Sequence, residues 1–404
     1  MRILIFQDTF HPKVDGVVVS TNLFIDELHR LGHDVRLVVP RHPRDKTEYP
    51  DHVWTVPSIR FDWIYPGTCL GKFWAGNLAE RIAQFKPQLV HSMTEFTLGH
   101  FLATYWKNRL NLPRIHTFHT LWHEYLFYIP LVPVALTRLW MRWAAPRAVR
   151  KRLRYIVAPS ECMAESIRTD WAVGDFPIAV IPTGLDIDKF KAMDGDRFRA
   201  KYKIGAEERV VLYLGRLGDE KNTDLVVSSM AELKRRGETQ LRFVIAGDGP
   251  ASYVKGLKQR AEAMGMSDIV WTGIVRGQDW LDCYGAADLF LFPSVTETQG
   301  LVVLEALAAG VPVVTVEAMG PAQTMAGEKG GLFAANDPVD FADKAQALLS
   351  DEVLYAQKRK EALDLASSFS IEQRAHDLLG VYDHVLTKSL NGPQTKMLQP
   401  GKRV

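Results

Sequence analysis

The chain has only three cysteines in 404 residues, Cys69, Cys162 and Cys283, far apart and odd in number. They make neither a disulfide framework nor a metal-ligand spacing, which fits a reducing cytosol. Long apolar runs are also lacking. No window of the length needed to span a bilayer is free of charge. The opening residues MRILIFQDTF read as a short strand, not as the charged start and long apolar region of a signal peptide. Net charge is nearly absent, at +2, which argues against a general nucleic-acid binder. No acidic metal-binding cluster stands out, and a divalent-ion site needs several converging oxygen ligands.

What is present is enough apolar sequence, 47%, to give two domains a core each. Short apolar segments alternate with helical patterns. RILIF (Arg2 to Phe6) reads as a first strand, followed by a loop and a helix from about Ser20 to Leu31. VRLVVP, LVHSM, RIHTFHT, YIVAPS and IAVIPTG continue the first half. VVLYLGR opens the second half after Arg209, and LRFVIAGDG, IVWTG, ADLFLFPS and VPVVTV follow with helices between. This order predicts an α/β protein with two Rossmann-like, doubly wound domains facing a central cleft. The expected division is residues 1–188, residues 189–370, a last helix over 371–390 crossing back to the first domain, and a disordered tail over 391–404. The polar stretch from Lys189 to Glu208 suits a linker.

The most informative stretch is FPSVTETQGLVVLEALAAGVPVV, Phe292 to Val314. A buried strand ends at Pro293-Ser294. A glycine turn at Gly300 then leads into an apolar helix from Leu301 to Ala309. A helix N-terminus beyond a strand's carboxyl end attracts phosphate. Glu297 and Glu305, eight residues apart, can lie toward one side of the loop and helix. Carboxylates beside a phosphate make sense if the ligand also carries hydroxyls, because a carboxylate accepts from a sugar diol. A nucleotide-sugar joins those features in one molecule.

The second half resembles the donor domain of retaining family-four glycosyltransferases of GT-B fold. The matching pieces are LYLGRLGDEKN, VIAGDGP, TG-IV, ADLFLFPS and ETQGLVVLEALAAGVPVV. VDGVVVSTNLFIDELHRLGHDV and VIPTGLDIDKF fit the same family in the first half. Within it, DTF-P-DGVVVS, MTEFTLG, HTFHTLWHEY and the ETQG turn are similar to lipid-glycosylating members, the bacterial diacylglycerol glucosyltransferases and related lipid mannosyltransferases.

The resemblance implies Arg216 and Lys221 as holders of the donor diphosphate, with no metal or other cofactor. Positive groups aimed at the growing charge of a leaving diphosphate lower the barrier by themselves. It implies Glu297 against the transferred sugar and Glu305 against ribose. Thr298, Gly300 and Leu301 would offer backbone contacts, and Val275 and Gly247 would sit near the base. Gly16 lies where a side chain would crowd the diphosphate. His119 would lie near the anomeric carbon. Glu124 and His123 follow it closely in sequence, which leaves two readings open, contact with the acceptor hydroxyl or a place on the surface. Gln299 departs from the family's common aromatic residue. The implied donor is a UDP-sugar or GDP-sugar, with UDP-glucose first. A GDP-mannose-dependent mannosyltransferase and a non-catalytic sugar-nucleotide-binding protein are the alternatives.

From Tyr125 to Ser160 there is no acidic residue. This run carries Arg142, Arg147, Arg150, Lys151 and Arg154 among its basic residues, with Trp140 and Trp143 interleaved. It reads as a basic amphipathic helix for an anionic membrane surface, with aromatic rings at headgroup level. An RNA-binding patch and a core helix with a solvated basic face compete with that reading. The membrane reading is preferred because a lipid acceptor accounts for apolar and basic content together. The expected protein is a monomer or weak dimer without nucleic acid. It is expected on the cytoplasmic side, held peripherally at the inner face of the cell membrane.

Overall fold

The computed structural model describes residues 1–11, 15–60, 69–72, 77–95, 97–119, 146–238 and 240–390. Glu124, Trp140, Arg142 and Trp143, together with the tail 391–404, lie outside the described residues.

The first sheet contains β1 (Arg2–Phe6), β2 (Asp34–Arg41), β3 (Val53–Arg60), β4 (Cys69–Gly71), β5 (Leu89–Ser92), β6 (Arg114–Thr117), β7 (Tyr155–Ala158) and β8 (Ile178–Val180). Their order is β4-β3-β2-β1-β5-β6-β7-β8, parallel except for the β3–β4 edge. The second sheet contains β9 (Arg209–Leu214), β10 (Leu241–Ala246), β11 (Val270–Gly273), β12 (Leu289–Phe292), β13 (Val313–Val316) and β14 (Gly331–Ala334). It is parallel throughout, in the order β11-β10-β9-β12-β13-β14. The central strands β5, β6 and β12 are buried on both faces, as helices packed above and below a parallel sheet require.

Each sheet reverses its winding beside its first strand. β1 lies between β2 and β5, and β9 lies between β10 and β12. Loops leaving the carboxyl ends of such neighbours diverge to opposite faces, which opens a crevice. Arg216 follows β9, and Glu297 follows β12. The topology alone therefore sets these two loops on either side of that crevice.

Several elements differ from the sequence reading. The first helix is Gly16–Arg30 and starts earlier than Ser20, because Asp15 caps it by accepting from the Val18 N–H at 3.1 Å. The polar stretch read as a linker is folded. It holds a 3₁₀ turn, Ile187–Ala192, and a helix, Gly195–Tyr202, whose Phe190 and Phe198 enter the second core. Most of its charges face outward, Arg197 pairs with buried Asp282, and the largely covered Arg199 pairs with Asp288. β3 carries Pro57 and β4 spans three residues, so neither has a clear apolar alternation.

The chain crosses between the domains twice, and the two crossings touch. Leu185 N–H donates to Phe369 O at 2.8 Å, and Ile371 N–H donates to Leu185 O at 2.9 Å. Gly184 packs so closely that a Cβ there would lie 2.5 Å from Ile371 Cα. The helix Ile371–Leu390 then buries Leu378, Leu379 and Tyr382 in the core built from β1, β2 and the helix Gly16–Arg30. Tyr382 is fully buried, and its hydroxyl meets His91 Nδ1 at 2.7 Å.

Tyr382 gives a direct test of this return helix. Tyr382→Phe removes one hydrogen bond and is expected to cost about 1 kcal/mol. Tyr382→Ala also opens a cavity and is expected to cost about 3–5 kcal/mol. Denaturant unfolding of both variants measures the difference; equal losses would show that the ring does not pack as described.

Candidate functional site

The donor-side loop begins where β12 ends. Ser294 is fully buried, and the chain turns through Glu297, Thr298 and Gln299 to Gly300. Gly300 has φ +78°, a left-handed conformation that favours glycine, and it starts the helix Leu301–Ala308. Among the described residues no side chain caps that helix; Val303 and Leu304 N–H turn back to Gly300 O, and the Leu301 and Val302 N–H groups stand at its positive end. The loop lies directly on Gly320, where a Cβ would stand 2.4 Å from the backbone of Gln299. Gly320 N–H also donates to Glu297 O at 3.0 Å.

The loop after β9 supplies the cations. Tyr213 is fully buried, and its hydroxyl donates to Arg216 O at 2.8 Å. Lys221 donates to Glu297 Oε1 at 2.5 Å, with both side chains mostly buried. Arg216 pairs with Glu220 at 2.8 Å. Thr296 Oγ1 donates to Glu220 O at 3.2 Å and joins the two loops. Gly247, φ +148°, lies against Gly215; a Cβ there would stand 1.8 Å from Gly215 O. A third loop therefore packs under the Arg216 loop by backbone contact. Val275 is half-buried at the edge of the same core.

Glu305 is 7% exposed, and burial pushes its carboxyl up to about 7. Tyr284 and Trp280 partly oppose that shift. Both donate to Oε2, at 2.8 Å and 3.2 Å. The pair holds one oxygen and turns the carboxylate as a unit. The sequence around Glu305 did not reveal this; Trp280 and Tyr284 lie four residues apart on one helix, as core aromatics also do.

On the facing domain, Gly16 begins the helix Gly16–Arg30, and a Cβ there would lie 4.0 Å from Leu301 Cδ1. Two helix N-termini therefore approach each other across the cleft. His119 follows β6, and Thr298 Oγ1 donates to its carbonyl at 3.3 Å. Burial and the neighbouring His116 bring its imidazole down to about 4, so it is neutral at neutral pH. Among the described residues its Nε2 is buried without a hydrogen-bond partner. It lines a cavity of about 10 Å³ with Ser20, His91, Thr117 and Thr183, room for one water. His116 is turned elsewhere, to Ser92 Oγ at 2.8 Å and Glu95 Oε1 at 3.2 Å.

Three contacts across the cleft were not anticipated. Ser160 Oγ donates to Thr298 O at 2.6 Å, and the Gln299 side chain bonds twice to the backbone of Thr183. The structure thus brings Glu297, Lys221, Thr298, Gly300 and Leu301 together with Gly16 and His119. Arg147, Arg150, Lys151 and Arg154 are exposed on a separate segment, with Val149 and Leu153 turned into the core. Among the described residues, no three His, Cys, Asp or Glu side chains are grouped to hold a metal ion, and no helix is long and apolar enough to cross a membrane.

The Glu305 geometry predicts a pH effect on stability. Its carboxyl keeps its proton in the folded chain up to about pH 7, whereas the unfolded chain releases it near 4.5. Folding stability contributed by this group therefore falls as pH rises through that window. Glu305→Gln does not titrate. Its stability relative to the parent is expected to rise by about 1–3 kcal/mol between pH 4.5 and 8. Melting curves of both proteins across that range test this, and a constant difference would contradict it.

Comparison with known proteins places this geometry. Residues 14–189 match the model described as Glycosyltransferase Family 4, and residues 208–351 match the model described as Glycosyl transferases group 1. The chain is 32% identical over 321 residues to the alpha-monoglucosyldiacylglycerol synthase of Streptococcus pneumoniae, covering 78% of this chain and 70% of that one. It is 27% identical to the GDP-mannose-dependent alpha-mannosyltransferase of Corynebacterium glutamicum, over 98% of this chain and 92% of that one. Anabaena HepE, solved in complex with UDP, superposes with TM-score 0.74 at 18% identity, covering 95% of this chain and all of that one. With two facing Rossmann-like domains and both halves matched, the chain belongs to the family-four, group 1 glycosyltransferases of GT-B fold.

Proposed function

We propose that this protein is a retaining, metal-independent hexosyltransferase that moves glucose from UDP-glucose to a membrane lipid hydroxyl such as that of diacylglycerol. The observation that carries the reading is the Lys221–Glu297 pair, beside the N-terminus of the helix that starts at Leu301, with the neutral His119 on the facing domain. The identity to a glucosyldiacylglycerol synthase supports the sugar and the lipid.

The chemistry follows from charge. An incoming diphosphate competes for Lys221 and Arg216, which now rest on Glu297 and Glu220. Releasing Glu297 leaves its carboxylate able to accept from hydroxyls of the sugar. Glu305, with one oxygen held by Tyr284 and Trp280, accepts from ribose with the other. As the sugar–phosphate bond breaks, negative charge grows on the leaving diphosphate. Lys221, Arg216 and the N–H groups from Gly300 onward stabilise that charge without an ion. His119, uncharged, stands beside the sugar without repelling positive charge that develops at its anomeric carbon.

A second reading, a GDP-mannose-dependent lipid mannosyltransferase, is favoured by the match to such an enzyme over nearly the full chain. A donor panel with mass analysis of products from total lipid separates the two. Donor hydrolysis without acceptor separates either from a non-catalytic binder.

Arg216→Ala and Lys221→Ala are each expected to lower turnover about 10²–10³-fold. Turnover is expected to persist in EDTA. Near-normal rates in both variants, or a loss restored by magnesium or manganese, would overturn the charge assignment.

We also propose that the exposed Arg147, Lys151 and Arg154 help hold the enzyme on anionic lipid at the inner face of the cell membrane. Each such residue contributes roughly 1 kcal/mol near an anionic surface. Replacing all three by Glu is expected to weaken binding to anionic vesicles by about a hundredfold or more while nucleotide binding persists. Vesicle co-sedimentation with rising salt measures this; unchanged binding would assign the patch another task.

A further inference from the structure

Gln299 lies in the turn just before Gly300, and its side chain is not directed at open cleft. It is 5% exposed. Its Oε1 accepts from Thr183 N–H at 2.8 Å, and its Nε2 donates to Thr183 O at 2.8 Å. The two residues are 116 positions apart and belong to opposite sides of the cleft. Thr183 offers both main-chain groups in one direction, as an extended residue on a strand edge does. A primary amide is the side chain that answers both with one planar group. Thr183 is itself fixed, buried to 3% exposure, with Oγ1 at 2.7 Å from Ser20 Oγ on the helix that starts at Gly16.

We propose that Gln299 is a positioning residue that ties the seating of the loop carrying Glu297, Thr298 and Gly300 to closure of the first domain onto it. The inference rests on the proposed function only for what the loop does, not for the tie itself. The loop has no slack on its own side. Gly320 N–H holds Glu297 O, and the Gln299 backbone lies where a Cβ on Gly320 would stand. A displacement of Gln299 is therefore passed to its neighbours. Ser160 Oγ on Thr298 O and Thr298 Oγ1 on His119 O lie on the same line of contact. The link is reversible, because when the domains part both amide groups meet water in place of each other, and each such exchange is nearly balanced. Because its partner is main chain, the link reads the position of the first domain and not the identity of residue 183.

The tie is tested with Gln299→Leu and Gln299→Glu in the full chain. The first readout is hydrogen exchange at the Thr183 amide. The Ile181 amide, which donates to Ala158 O at 2.8 Å within the first sheet, serves as the internal reference. Relative to that reference, Gln299→Leu is expected to exchange about 10- to 100-fold faster at Thr183. Gln299→Glu retains the acceptor but loses the donor at neutral pH. Protonating it restores an O–H donor beside a C=O acceptor, so its exchange ratio is expected to return toward the parent value as pH falls. A residue that only filled space would give no such return. The second readout is donor KM and kcat with UDP-glucose: Gln299→Leu is expected to lower kcat/KM about 10- to 100-fold, with Gln299→Glu recovering at lower pH in parallel with its exchange ratio.

An unchanged Thr183 ratio in Gln299→Leu overturns the tie, whatever the turnover. Faster exchange with unaltered kcat/KM overturns the positioning role. If the parent turns over neither UDP-glucose nor GDP-mannose, the proposed function fails. The exchange ratio and its pH return then still decide whether Gln299 joins the domains.

Discussion

The ion pair between Lys221 and Glu297 is the interaction on which the site depends. Two loops meet at the carboxyl ends of β9 and β12, one ending in a lysine and the other in a carboxylate. Both groups are mostly removed from water, so neither would rest there alone without a large desolvation cost. Their mutual attraction draws the loops together before a ligand arrives. The Arg216–Glu220 pair beside it has the same character. An anion entering this place meets cations that are already positioned and already partly desolvated.

On the other side of the cleft, the constraint is the absence of charge. His91 and His116 are buried and His119 is half-buried with its Nε2 covered; loss of water pushes the first two down to about 3 and the third to about 4. His91 is held between the hydroxyls of Tyr382 and Thr117, and His116 between Ser92 and Glu95. Three imidazoles can lie close together here because none is charged. The return helix contributes directly to this wall through Tyr382, so the last part of the chain supports a surface built from the first third.

Much of this was legible in sequence. The strand–turn–helix at Phe292 to Val314, the cations after β9 and the alternation of strands and helices carry strong local signals. The start of the first helix was misplaced because an Asp15 cap outranks apolar periodicity in setting a helix end. The stretch from Lys189 to Glu208 looked like a linker because its composition is polar, yet Phe190 and Phe198 anchor it to the second core. Gln299 was legible only as a departure. Its role depends on Thr183, more than a hundred positions earlier, and no local pattern encodes such a partner. Trp280 and Tyr284 have no mark in sequence that sets them apart from core aromatics.

The paired crossing at Leu185 and Ser370 has a mechanical meaning. Two bodies joined by one flexible tether can turn about any axis through it. Here two segments pass side by side, hydrogen-bonded to each other and packed without space for a Cβ at Gly184. They act as two pins through one plate, so twisting and sliding are resisted while bending about the line between them remains soft. The register between the loop at Glu297 and the helix at Gly16 is therefore set beside the crossing itself, where Thr183, two residues before Leu185, meets both Gln299 and Ser20.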